Sequence, residues 1–189
     1  MIIDDIMTKA ITLHGLGFVQ IQLQGNQRLH VWHPELPRRT CYKYSAIHNH
    51  RFGFRSRVLV GEQIDIPCGL VLKDTGEFQL YLHEGARTAN GGRPWVPDGR
   101  ADIWELPACS VKPGASYDVA PYDYHRTVAG GNGKVATILG KTVEGSLGAH
   151  SSCIRGVEPD IDFDRFQWSP SKLWEIVQDV LTTHTNTGE

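Results

Sequence analysis

The chain has 189 residues, 19 of them basic and 21 acidic, enough to bury one core without staples and too evenly charged to call for nucleic acid or an anionic membrane. No run of about 18 apolar residues is present to span a bilayer. The opening "MIIDDIMTKAITLHGLGF" lacks the basic stretch and apolar core of a secretory signal. Cys41, Cys68, Cys109 and Cys153 are scattered with no CxxC pair, which points to reduced thiols and a cytoplasmic protein.

In chain order, residues 3–14 are predicted as a short helix ended by Gly15 and Gly17. "FVQIQLQ" (18–24) alternates apolar and polar, and "GNQ" turns it into "RLHVWH" (28–33), a hairpin signal. "HPELPRR" is a proline-broken loop. Strand-like runs follow at 46–60, 63–73, 77–83, 102–106, 115–120, 124–129 and 134–142, punctuated by Gly, Pro, Asn and Asp. Many short strands at such spacing predict an antiparallel sandwich or barrel. Between them, "HEGARTANGGRPWVPDGRAD" (83–102) reads as a long Gly/Pro-rich loop, a lid or an interface. A mobile surface loop is the plainer alternative. "SPSKLWEIVQDVLTTH" predicts an amphipathic helix over about 170–184, capped by Ser169 and packed outside the sheet.

The chemistry concentrates in "SAIHNHRFGFRSRVLVGEQ" (45–63). His48 and His50 at i and i+2 on a strand face the same side. Two neutral imidazoles side by side are poor packing material and make half of a metal site. A hydrogen-bonded, metal-free pair is the plain alternative. Among the other histidines, His14 sits at the predicted helix end and His184 near the tail, both read as solvated. His30 belongs to an edge-like hairpin and His33 precedes a proline. His125 is different: it opens a strand after a Pro-Tyr-Asp turn, where it can face an early pair if the sheet rolls into a barrel. Arg51, Arg55 and Arg57 alternate away from the histidines onto a solvated face, and a bulge at Gly53 would re-aim the last two.

From His48 to Gly61 the chain resembles the first motif of the cupin superfamily: HxH, three residues, an acidic ligand, six residues, glycine. Phe54 stands where that family has its glutamate. "GASYDVAPYDYH" (114–125) resembles the second motif, with the proline one residue nearer the histidine and Asp123 near the place of a glycine. The resemblance spans about residues 45–142. It implies an all-β, double-stranded β-helix barrel of two antiparallel sheets with short N-terminal and C-terminal helices. The reading is a single domain over 1–189 with its barrel core at about 18–142; cupins are often dimers, so a homodimer is in view.

Without the glutamate, the ligand set His48, His50 and His125 resembles the three-His centre of the thiol dioxygenase branch. That likeness implies one divalent metal, Fe(II) first and Ni, Mn or Zn as alternatives, with open positions for a chelating substrate and O2. Neutral ligands leave the metal its full charge and favour an anionic substrate. More loosely, "IHNHRFGF" is similar to small cupin-like proteins of bacteriophage genomes that carry no known activity. The leading expectation is therefore an oxygenase of a small anionic or thiol-bearing molecule. A barrel that binds a nucleotide or sugar derivative without turnover is the main rival, and a metal-dependent hydrolase or isomerase the third.

For that small-molecule partner, the expected contacts are Arg87, Arg93 and Arg100 with Trp95 from the long loop, and Tyr81 and His83 at the lip. The three ligand nitrogens are expected within about 3.5 Å of one another around an ion. Phe54 is expected beneath them, with no carboxylate ligand.

Overall fold

The computed structural model describes residues 11–182. Twelve strands precede one helix: β1 (Ile11–His14), β2 (Phe18–Gln22), β3 (Gln27–Trp32), β4 (Phe52–Val60), β5 (Gln63–Leu72), β6 (Phe78–His83), β7 (Trp95–Glu105), β8 (Cys109–Val111), β9 (Ser116–Val119), β10 (His125–Ala129), β11 (Val135–Glu144), β12 (Ala149–Ile154) and α1 (Pro170–Thr182). They form two antiparallel sheets, ordered β1-β2-β3-β11-β4-β9 and β10-β5-β7-β6-β12, with β8 pairing β5. This is the all-β, two-sheet architecture that the alternation predicts. Among the described residues no helix is long and apolar enough to cross a membrane.

Strand alternation gives the first sheet two apolar faces. Leu13, Val19, Ile21, Leu29 and Val31 point outward and are covered by Leu173, Ile176, Val177 and Val180 of α1. Those four helix positions recur at the spacing of a single apolar stripe. Ser169 caps the helix, its Oγ accepting from Lys172 N at 3.3 Å, and Pro170 fits the first helical position, where no N–H is needed. Phe52, Phe54, Val119 and Leu139 form a separate cluster on the opposite side.

The β2–β3 hairpin turns through Gly25 and Asn26, at φ 64° and 62°, the left-handed pair that such tight hairpins need. Gly61 ends β4 at φ 72°, and a Cβ there would strike the Lys134 carbonyl. Glycine at that place in the first motif is a backbone necessity.

The structure corrects several sequence expectations. Residues 3–10 of the N-terminal helix predicted over 3–14 lie outside the described residues, and residues 11–14 are β1, paired with β2 from Ile11↔Ile21 to His14↔Phe18. Ile11 and Leu13 are buried while Thr12 and His14 are half-buried, which is the period of a strand. The C-terminal helix is described as far as Thr182. The loop expected over 83–102 is only half a loop: β7 begins at Trp95 and runs to Glu105. Strands β8 and β12 were not foreseen, and the sheets run from Ile11 to Ile154, beyond the predicted core of 18–142.

One connection positions the site. Before entering β4, the chain at 47–49 pairs with both edge strands of the second sheet, His48 bridging to His125 on β10 and to Ser151 on β12. That sheet is thereby joined edge to edge, and the segment that joins it carries the histidines.

Candidate metal centre and cavity

His48 and His125 exchange two backbone hydrogen bonds, His48 N to His125 O and His125 N to His48 O, each 2.9 Å. This pairing sets the two rings side by side, with centroids 4.9 Å apart. Between the paired histidines, Asn49 faces the other way, as a strand requires. Its N–H donates to His150 O at 2.9 Å and its Oδ1 accepts from His150 N at 2.6 Å. The middle residue of "HNH" therefore fastens the segment to β12 while its neighbours face inward. His50 completes the group, its ring 4.8 Å from that of His48 and 5.3 Å from that of His125.

Each histidine offers one nitrogen, and the three lie within 4.8 Å of one another. The limit is wider than the 3.5 Å expected for a loaded site, so the rings must draw together to share an ion. The outer nitrogens are already committed. His48 Nδ1 donates to Ala46 O at 2.9 Å and His125 Nδ1 to the Asp65 carboxylate at 2.7 Å, which leaves each Nε2 with its lone pair free. His125 Nε2 is buried and has no hydrogen-bond partner among the described residues. Left so, a buried polar atom costs about 1–3 kcal/mol.

Burial pushes the His48 imidazolium down to about 3, with His125 nearby adding to the effect. Burial also holds His50 well below the usual histidine range, helped by His48 and His125. Both are neutral, ligand-ready imidazoles at neutral pH. Phe54 lies against the group, its ring centroid 5.1 Å from His50 and 5.8 Å from His125. Among the described residues no carboxylate joins the three nitrogens. Asp65 acts from behind instead, accepting from His125 Nδ1 and fixing the orientation of its ring, as carboxylates behind metal-bound histidines do. The donor set therefore fits a divalent metal.

His48 and His50 open onto a cavity of about 410 Å³ whose wall also includes His83, Trp95, Arg87 and Arg93. His83 Nε2 lies 2.8 Å from Ser151 Oγ, which is 3.1 Å from Tyr42 Oη. All three residues line the cavity. Burial, then Arg39, brings His83 down to about 4, so at neutral pH its ring is neutral and shares a hydrogen bond with Ser151.

The remaining expected contacts are elsewhere. Arg100 stands on the exposed part of β7, donates to Asp74 O at 3.3 Å and does not line the cavity. Tyr81 is buried behind the wall with Cys41 and Cys153. Nor is the 84–94 segment a free flap: Asn90 Nδ2 donates to Asp162 O and Arg165 N donates to Asn90 O. His14, expected in solvent, lines the cavity and stacks on Phe18 at 4.3 Å. His30, expected at an edge, is buried on β3 between β2 and β11.

Sequence reasoning missed Asp65, Ser151, Tyr42, Arg28, Arg39 and Arg165. Asp65 carried a readable signal, an acid between Ile64 and Ile66 in an apolar strand. The arginines carried none, since they come from separate segments.

No protein-family model matches this chain, and no curated protein matches it. Among solved structures it is similar to hydroquinone 1,2-dioxygenase from Sphingomonas sp. TTNP3 with 4-hydroxybenzoate bound. The two are 17% identical with a TM-score of 0.32, and the match covers 66% of this chain and 64% of that one. So distant a likeness carries no chemistry across, and the site is read from its own geometry.

Proposed function

We propose that the protein is a metal-dependent enzyme of the three-His cupin type, an oxygenase of a small anionic molecule, with His48, His50 and His125 holding one divalent ion. The observation that carries this reading is the pair of Nε2 atoms whose opposite ring nitrogens are tied to Ala46 O and Asp65, one of them buried and unpartnered. Two histidines oriented in this way, with a third beside them, form a ligand set.

Bound iron, manganese or nickel would supply Lewis acidity and oxygen chemistry; zinc, which has no redox chemistry, would supply the first alone. The chain's own residues do the rest. Phe52 and Phe54 pack against His50 and exclude water from its apolar side. The cationic wall draws in and orients an anion. Tyr42, Ser151 and His83 form a hydrogen-bonded chain that presents oriented polar groups to a bound molecule at the cavity surface.

The test is elemental analysis of protein purified without chelating resin, alongside His48→Ala, His50→Ala and His125→Ala. The expected result is close to one equivalent of metal in the parent and background in each variant, with oxygen uptake in the presence of substrate. Metal-free protein that gains no stability from added Fe(II), Ni(II), Mn(II) or Zn(II) would overturn the reading. Tight ligand retention without turnover would leave the binding-barrel alternative.

A further inference from the structure

The cavity wall is charged far out of balance. Six arginines and Lys141 line it against one carboxylate, Glu84. Arg51 and Lys141 share Glu144 just outside, at 3.8 and 2.6 Å. That leaves Arg28, Arg39, Arg87, Arg93 and Arg165, none of which forms a salt bridge among the described residues.

Neutral groups hold these guanidiniums in place. Arg165 donates through Nε to Leu13 O and through Nη2 to Thr12 Oγ1, both at 3.0 Å. Arg39 is buried, donates to Asp160 O and lies 5.1 Å from the Trp95 ring and 5.3 Å from that of Phe163. Arg28 sits 5.4 Å over the Phe52 ring, and its Nε is buried with no hydrogen-bond partner among the described residues. Arg87 Nη1 donates to Gly91 O, and Arg93 Nη1 to Gly85 O. A guanidinium has five N–H donors, so each keeps several to spare and cannot shed its charge. Their mutual repulsion is felt: after burial, Arg87, Arg28 and Arg39 bring Arg165 down to about 10.

Fixed like charges with spare donors around one cavity are a standing cost that an anion removes. A monoanion answers one or two of them. We propose that the cavity takes an oligoanion, a small molecule bearing two or more clustered phosphate or carboxylate groups. Its charged end lies against Arg28, Arg39, Arg87 and Arg165 and its remainder reaches His48 and His50. The volume of about 410 Å³ is that of an ordinary small-molecule site. This names the substrate class of the enzyme proposed above and rests on that reading for the word substrate; the binding itself needs no metal.

The experiment therefore uses the full chain stripped of metal by chelator, with calorimetric and thermal-shift titrations at fixed ionic strength. The probes are pyrophosphate, tricarballylate and, as a monoanion control, acetate. Pyrophosphate or tricarballylate should bind and raise the melting temperature where acetate does not, and the better of the two identifies phosphate or carboxylate as the native group. Arg87→Gln, an exposed substitution that spares the fold, should weaken the preferred oligoanion about tenfold, the loss expected for one charge-assisted contact. Arg28→Gln should do at least as much, and Arg100→Gln, on the exposed part of β7 away from the cavity, should leave binding in place. If neither oligoanion exceeds acetate, or if Arg87→Gln binds as the parent does, the proposal is wrong. If oligoanions bind and the histidine variants show no metal to lose, only the metal reading fails.

Discussion

The two ends of the cavity deal with buried charge in opposite ways. At the histidine end, burial lowers the His48 and His50 imidazoliums until the rings are neutral, and the result is lone pairs aimed at one point. At the arginine end the groups cannot follow, because a guanidinium stays protonated through the whole physiological range. In the reading proposed above, a bound anion answers that charge. Neutral rings close together ask for a cation, and gathered guanidiniums ask for an anion. A metal and an oligoanionic ligand would satisfy both ends and each other.

The largest expected break in this contrast is His125→Ala. Metal content should fall to background by elemental analysis while the helix-covered core keeps the fold, because Ile21, Leu29 and Val31 lie in a different cluster. A folded His125→Ala protein that retains full metal would move the site elsewhere.

Asp65→Asn should be milder. It keeps the shape and removes the charge behind His125, so metal affinity should drop about 10–100-fold with oligoanion binding untouched. Competition against a fluorescent chelator measures the first and calorimetry the second. An equal loss in both would mean a general disturbance of the barrel rather than a tuned ligand.

Acid should separate the ends further. Burial, then Arg28 and Arg165, holds His30 down at about 3, below its unfolded value near 6.5. Between those values the unfolded chain binds the extra proton, so stability is complete above about 6.5 and falls as the pH drops toward 3. The slope approaches about 1.4 kcal/mol per pH unit for this one group. His83, at about 4, adds in the same direction. Urea unfolding at pH 7, 6 and 5 should show the decline, and His30→Gln should reduce its slope by one histidine's share, His48, His50 and His83 supplying the rest. An unchanged profile in that variant would place the proton uptake at other groups.

The smallest expected effect is that of Arg100→Gln. Exposed and remote from the cavity, it should change stability by less than about 0.5 kcal/mol and oligoanion affinity not at all in the same titration.

Most of the β-structure was readable because short strand-forming runs lie between turn residues, and in Phe52–Val60 the alternation is plain, with Phe54, Ser56 and Val58 buried between exposed Arg55 and Arg57. The start of β7 was hidden by Pro97 and Gly99. There the strand pairs with β6 alone, Tyr81↔Pro97, and pairing with β5 begins only at Ala101. A proline without an N–H is tolerated where one side of the strand is open. Residues 11–14 read as the end of a helix in the sequence because the partner strand, which sets the alternation, is not visible in a four-residue window. The three histidines stood out because two share one strand and the third ends a motif. The arginines did not, because they meet only in space: Arg28 opens the β3 hairpin, Arg39 follows a proline loop and Arg165 precedes the last helix. Linear spacing holds no trace of such a meeting.

The junction at 47–49 has a consequence for the order in which the molecule assembles. The amides of His48 and His125 find their carbonyls only after the early segment and the late strand β10 have met, and the neighbouring bonds from Asn49 N to His150 O and from Ser152 N to Ile47 O form only once β12 has arrived. Contacts between such distant parts of a chain close late. The ligand set thus sits on one of the fold's long-range seams, and a metal entering it would act as a latch, slowing amide exchange at both histidines.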